Sequence, residues 1–168
     1  MKRYILFLAI ILIWNVISGC SGKDVDEYAM ITFLIGDVKK NNIDAQIGDI
    51  IKENDVIVTA EGAFCDIKIG DSIIRIKALS EMAVSQLLKS GGLENTTLGL
   101  SSGSMLCKPK KLMKSENFLV KTPTAVAGVR GTQFAVETDK LTATRIKVFE
   151  GEVKVAKRIK QFEESVER

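Results

Sequence analysis

Hydrophobic and polar residues alternate along most of this chain in short runs, with turn-forming residues between them. Residues 63–69 (AFCDIKI) and 72–78 (SIIRIKA) both alternate, and Gly70-Asp71 separates them, so the spacing predicts a β-hairpin. Residues 29–35 are apolar and β-branched and end at Gly36-Asp37, while 56–59 follow the turn-like Glu53-Asn54-Asp55. Strands are also expected at 117–122, 132–138, 142–149 and 152–156, with tight turns at Asp139-Lys140 and Glu150-Gly151. Residues 79–88 suit a helix or a strand, because serine and valine interrupt the helical pattern. Three segments, LIGDV (34–38), SSGSM (101–105) and FEGEV (149–153), place a glycine two residues before an apolar one. A positive φ at that glycine would turn the chain and start the next strand with an apolar residue inward. Short strands without long helices between them predict an all-β domain over 31–156, a single sandwich or roll. Beyond it, Ile159, Phe162 and Val166 recur at helical spacing, so 157–168 is expected to form a short C-terminal helix.

The N-terminus follows a different pattern. Lys2 and Arg3 precede an unbroken apolar run over 4–14, and then Ile17-Ser18-Gly19-Cys20 supplies an aliphatic residue, two small residues and a cysteine. This order is that of a signal peptide over 1–19 with a cysteine directly after the cleavage site. It resembles the lipobox of bacterial lipoproteins, which implies a diacylglycerol on the Cys20 thiol and cleavage before that residue. Residues 20–30, polar and acidic at first, then read as a lipidated tether to the domain. The expected location is the cell envelope, lipid-anchored and facing the periplasm or the exterior.

Charge and composition exclude several chemistries. Removing Lys2 and Arg3 from the 24 basic residues leaves 22 against 21 acidic ones, so the mature surface is nearly neutral. Lys108, Lys110, Lys111 and Lys114 are the main basic cluster and read as a solvated loop, so no nucleic-acid partner is implied. The chain has no histidine, which removes His-based triads and His metal sites. Cys65 and Cys107 form no C-x-x-C pair, and neither a metal site nor a cofactor is expected. An oxidising compartment would permit a disulfide between them. Their neighbours Ile67, Ile69 and Met105 favour buried free thiols instead.

The stretch TPTAVAGVRGTQF, from Thr122 to Phe134, is too apolar for an exposed loop and too glycine-rich for a helix. Pro123 biases Thr122 towards an extended conformation, Thr124 follows it, and Ala125, Ala127 and Gly128 allow a close approach by another segment. Gly131 permits a left-handed reversal before Thr132, and Phe134 and Val136 then face the core. Arg130 is the one cation of the run. A guanidinium buried there would need a carboxylate or several carbonyls, and its truncation would cost about 3–5 kcal/mol. The alternative use of Arg130 is partner binding.

This stretch resembles the most recognisable motif of the FecR-domain family, a run close to V-x-T-P-T-A-V-x-x-V-R-G-T-x-F. Glu61-Gly62-Ala63 through Gly70-Asp71-Ser72 resembles that family's glycine-led hairpin, and Ser80-Glu81-Met82 its serine-containing turn. Residues 98–106 resemble its Leu-x-Leu-x-x-Gly strand, and 149–155 its closing E-G-x-V-x-V. The resemblance covers roughly 31–156 and implies an extracytoplasmic all-β domain. The best-known members act in iron-uptake signalling, receiving a signal from an outer-membrane transporter and controlling a sigma factor. They carry a cytoplasmic segment and a membrane span before the domain. This chain starts instead with a lipoprotein-like signal, so only the extracytoplasmic module carries over.

The expected function is therefore a membrane-anchored module that binds a protein or an envelope polymer through a sheet edge or the loops beside Arg130. A cell-envelope enzyme is the alternative, with Asp66, Asp71, Glu81, Glu137 and Glu150 as its carboxylates, although alternation turns Asp66 and Glu137 outward. A small-ligand carrier is a further alternative, without residues spaced for calcium. The anchor yields the first test. Cys20→Ser should abolish incorporation of labelled fatty acid and leave the uncleaved precursor, whereas undiminished labelling would place the anchor elsewhere.

Overall fold

The computed structural model describes residues 29–90, 93–139 and 143–158, and among them there is strand but no helix. The strands are β1 (Ala29–Ile35), β2 (Val38–Lys40), β3 (Ile43–Asp44), β4 (Val56–Thr59), β5 (Phe64–Ile69), β6 (Ser72–Ile76) and β7 (Ser80–Ser90). They continue with β8 (Leu93–Lys108), β9 (Asn117–Lys121), β10 (Ala125–Val129), β11 (Gln133–Thr138), β12 (Thr144–Glu150) and β13 (Val153–Lys157). The expected hairpin is β5–β6, joined at Gly70-Asp71, with Ile67 opposite Ile74. Residues 79–88, ambiguous in sequence, are mostly strand β7. The expected C-terminal helix is corrected at its start: Lys157 ends β13, and the Arg158 N–H donates to Thr124 O at 3.0 Å. The remainder of that segment, 159–168, lies outside the described residues, as does the whole of 1–28. β1 begins at Ala29, two residues ahead of the expected domain start.

All thirteen strands belong to one curled sheet, folded into two layers that share β8. The first layer runs β1-β5-β6-β8-β11-β12. The second runs β3-β2-β4-β7-β8-β9-β10-β13. Every pairing is antiparallel except β8–β9. Parallel neighbours need a long crossover, and the second half of β8 with the loop 109–116 supplies it. The inward residues of both layers form one core. Ile31, Cys65, Ile67, Ile74, Ile76, Met105, Cys107, Phe134 and Val136 come from the first layer, and Ile57, Met82, Leu98, Leu100, Phe118, Val120 and Ala127 from the second.

Strand β8 changes layer at Gly103. Before it, Leu98 and Leu100 face the core; after it, Met105 and Cys107 do, so the parity of inward positions switches within one strand. Gly103 takes φ +91°, and the Ser80 hydroxyl clasps the bend. Its oxygen accepts from Ser104 N at 2.9 Å, and it has Ser104 O and Ala78 O as acceptors at 3.2 and 3.1 Å. Lys77 N also donates to Ser104 O at 2.9 Å. The three glycines singled out in sequence, Gly36, Gly103 and Gly151, all have positive φ. Gly103, however, bends a continuous strand rather than starting a new one.

Cys65 and Cys107 are free and buried. Cys65 pairs with Ile76 and Cys107 with Ile74, so β6 separates them. Two strand spacings, about 9.5 Å, exceed the ~7 Å that a disulfide spans between Cα atoms. Burial pushes the Cys65 thiol up to about 12, with Asp66 adding to the effect, and pushes Cys107 up as well. Both thiols stay protonated at neutral pH and act as small core side chains.

The β8 bend gives the second prediction. A Cβ on Gly103 would lie 2.5 Å from Ser80 Cα and 2.6 Å from Leu79 O, in addition to the unfavourable φ. Gly103→Ala should destabilise the protein by roughly 2–5 kcal/mol, from left-handed strain together with overpacking. Chemical denaturation measures it, and an unchanged midpoint would remove the bend from its structural role.

Candidate functional site

The stretch 122–134 is a corner followed by a strand. β9 ends at Lys121, Pro123 lies in the tight turn, and β10 returns between β9 and β13. The Thr122 side chain closes that turn: its hydroxyl accepts from Ala125 N at 2.9 Å and has Ala125 O as its acceptor at 3.1 Å. Thr122 N donates to Ala125 O at 2.8 Å. The small residues do allow close approach. Gly128 lies beneath Leu119, whose Cδ2 would be 3.2 Å from an added Cβ.

Hydroxyls of the stretch reach across to the last two strands. The oxygens of Thr122 and Thr124 each lie 2.7 Å from Thr144 Oγ1, at the start of β12, and Thr138 Oγ1 lies 3.3 Å from it. Thr132 Oγ1 donates to Glu152 O at 2.8 Å, in the β12–β13 turn. Arg158 Nη1 donates to Thr122 O at 3.0 Å. Phe134 is fully buried. Thr122, Thr124, Thr132 and Phe134 thus hold the closing strands onto the body of the domain.

Arg130 and Gly131 address a different segment, the loop 109–116. Gly131, at φ +86°, packs so tightly on this loop that a Cβ would lie 2.8 Å from Lys111 Cα. Arg130 is exposed, and its Nη2 donates to Lys114 O at 3.0 Å. The expected buried guanidinium with several partners is therefore corrected. Ala127 and Val129 point inward, which turns Arg130 to the outer face with Val126 and Gly128.

Sequence reasoning missed what fixes that loop. The Glu116 side chain is closed off from solvent and accepts from Met113 N at 2.8 Å, Glu94 N at 3.2 Å and Lys110 Nζ at 3.2 Å. The Met113 amide and then Lys110 hold its carboxyl below the usual carboxylate range. Lys110 also pairs with Glu94 at 2.8 Å, which raises its own pKa. One member of the expected solvated lysine cluster is thus an anchor. The turn is local, with Glu116 reaching back three residues to the Met113 amide.

On the outer face, β9, β10 and β13 form the floor of an open groove of about 650 Å³. Its apolar floor is Leu119, Val126, Gly128 and Ala156, and Arg130, Lys154 and Glu152 stand around it. The carboxylates considered for catalysis are dispersed. Asp66 accepts two bonds from Arg75 at 2.7 Å, and Glu137 pairs with Arg145 at 3.5 Å on another strand. Among the described residues no three His, Cys, Asp or Glu side chains converge as a metal site.

The model of the family described as FecR protein matches residues 55–154. The crystal structure of a candidate anti-sigma factor from Parabacteroides distasonis is similar to this chain with a TM-score of 0.43 and 15% identity. The match covers 60% of this chain and 50% of that one, so this chain spans half the length of its structural relative. No curated protein matches at the same standard.

The two roles within the stretch separate by stability. Thr144→Val removes the hydroxyl shared by Thr122 and Thr124 and should lower stability by about 1–3 kcal/mol. Arg130→Ala loses one exposed hydrogen bond and should cost only about 0.5–1.5 kcal/mol, with Arg130→Lys in between. Thermal melts check the ranking. A larger loss for Arg130→Ala than for Thr144→Val would return Arg130 to the core of the fold.

Proposed function

The chain belongs to the FecR protein family, and on that premise we propose that it is a lipid-anchored, extracytoplasmic signalling module that binds a protein partner. The anchor is Cys20, and the binding surface is the groove between β9, β10 and β13. One observation carries this reading. The family motif faces two ways, with its threonines and Phe134 fastening the fold while Val126, Gly128 and Arg130 lie at an open surface. A stability role alone would not call for an apolar, glycine-containing outer face, because a solvent-facing strand ordinarily alternates with polar residues. An exposed arginine beside an apolar floor is also the composition that protein interfaces favour.

This reading separates binding from catalysis. Asp66 and Glu137 are engaged by arginines on neighbouring strands, and neither lies in the groove. A partner bound there would meet a rigid floor, because β10 is paired on both sides.

Site-specific photocrosslinking of the full chain in its native envelope tests the proposal. A photoreactive residue in place of Leu119 or Lys154 should give discrete crosslinked species. The same residue in place of Lys68, exposed on the first layer, should give none. Arg130→Ala should reduce the crosslinks while the melting temperature falls only slightly. Equal crosslinking from Lys68 and from the groove would reject this surface.

A further inference from the structure

We infer that the free edge of β13 is a docking site for one extended segment of a partner protein, with alternating apolar and acidic residues, which adds to the second layer as its next strand. The inference rests on the partner-binding reading above and specifies its chemistry. The edges of the domain are treated unequally. β1 is covered on its free side by 48–51: Ile31 N donates to Asp49 O at 2.9 Å, Gly48 N to Ile31 O at 2.8 Å and Ile51 N to Ala29 O at 2.9 Å. β3 has only two residues. Two longer edges stay open among the described residues, β12 with seven residues paired with β11 alone and β13 with five paired with β10 alone, and of these β13 borders the groove.

Register tells which backbone groups of β13 are available. Arg158 N donates to Thr124 O, so Thr124 opposite Arg158 is a hydrogen-bonded pair. In an antiparallel ladder such pairs recur every second residue, which assigns Ala156 and Lys154 to β10. Val153, Val155 and Lys157 therefore turn their N–H and C=O groups to the open side. Their side chains share a face with the buried Ala127 and Val129, yet Val155 is 56% exposed because, among the described residues, no strand lies beyond it. On the other layer Val148, which faces the same way as buried Phe134, is 42% exposed. An added strand would satisfy the backbone row and shield these inward valines, which is the mode of recognition by sheet extension.

Charge selects the partner. Lys154 on β13 and Arg130 beside it stand on the outer face with Glu152, while Lys157 ends the inward row of β13. A strand that carries glutamate or aspartate on its outer face would meet Lys154 directly, and cross-strand pairs of opposite charge are favourable. The same lysines disfavour a second copy of this chain, since antiparallel pairing of two β13 strands would gather like charges. Lysine on a free edge guards against self-pairing, and here the guard also sets specificity.

The test uses the detergent-solubilised full chain and a fluorescent ten-residue peptide alternating valine and glutamate. A peptide alternating valine and lysine is its counterpart. The acidic peptide should bind saturably and more weakly as salt rises, and the basic one should not. Val155→Pro removes one outward N–H and no bond to β10, as an edge strand tolerates. It should weaken the acidic peptide about tenfold or more, since pairing of this kind depends on the backbone. Lys154→Glu, which leaves the backbone intact, should weaken the acidic peptide and admit the basic one. Equal binding of both peptides, or undiminished binding by Val155→Pro and Lys154→Glu, would overturn the inference. So would a dimer that Val155→Pro disperses, which would make a second copy the occupant. Binding that appears only after removal of residues 159–168 would make that segment the occupant and overturn it too. Peptide failure with groove crosslinking intact withdraws the strand chemistry alone, whereas loss of the crosslinks withdraws the binding module itself.

Discussion

The fold depends on a bend of β8 at Gly103. Sixteen residues of straight strand would reach about 54 Å, far beyond the core of a domain this small. The bend folds that length into two halves, one for each layer, and so joins the layers covalently through their centre. Gly103 permits the backbone to turn, and the Ser80 hydroxyl occupies the space a side chain would have filled while bonding Ser104 on both sides. The exposed Leu79 accepts a left-handed φ of +55° next to it, a strain of about 1–2 kcal/mol. The corner tolerates this because Leu79 N is bonded to Ala60 O and Ser80 N to Thr59 Oγ1. Both layer crossings, at 77–80 and 102–104, are thereby tied to one another and to the end of β4.

That bend also explains where the sequence was readable. The β5–β6 hairpin was legible because period-two alternation continues up to a glycine turn, and β1 because an apolar, β-branched run ends at Gly36-Asp37. β8 was hidden because its inward positions change parity, from Leu98 and Leu100 to Met105 and Cys107, and because Thr96 and Thr97 are both buried ahead of Leu98. No single alternating template fits such a strand. β10 was hidden for another reason: its outward residues, Val126 and Gly128, are as apolar or as small as its inward ones. The family resemblance located both segments by motif where periodicity could not. Arg130 shows the limit of residue type as a guide. A cation in an apolar run invites a buried pair, but the inward parity of Ala127 and Val129 already directs it outward.

The closing strands owe their order to hydroxyls rather than to apolar burial. β12 and β13 are exposed over most of their length, and their packing on the core is limited to residues such as Ile146 and Val153. Thr144 Oγ1 gathers Thr122, Thr124 and Thr138 at one end, and Thr132 holds the Glu152 carbonyl at the other. Threonine suits both tasks. Its branched side chain fits a strand, and its hydroxyl can donate and accept at once. The charged contacts Glu116–Lys110 and Arg130–Lys114 then fix the loop on which Gly131 rests.

A strand added at β13 would extend this architecture without disturbing it. Sheet extension uses backbone groups that the fold leaves over, so no core contact has to break before a partner docks. The residues that fasten the edge, Thr122, Thr132 and Phe134, point away from those that would meet the partner, Gly128, Arg130 and Lys154. Affinity can therefore change through Lys154 or Arg130 while stability stays with the threonines. Gly128 serves both sides: it keeps the outer floor low and gives Leu119 its seat. A side chain there would have to displace Leu119 into the groove. The glycine of the motif thus fixes the depth of the surface, and Lys154 would set the charge of a strand added along it.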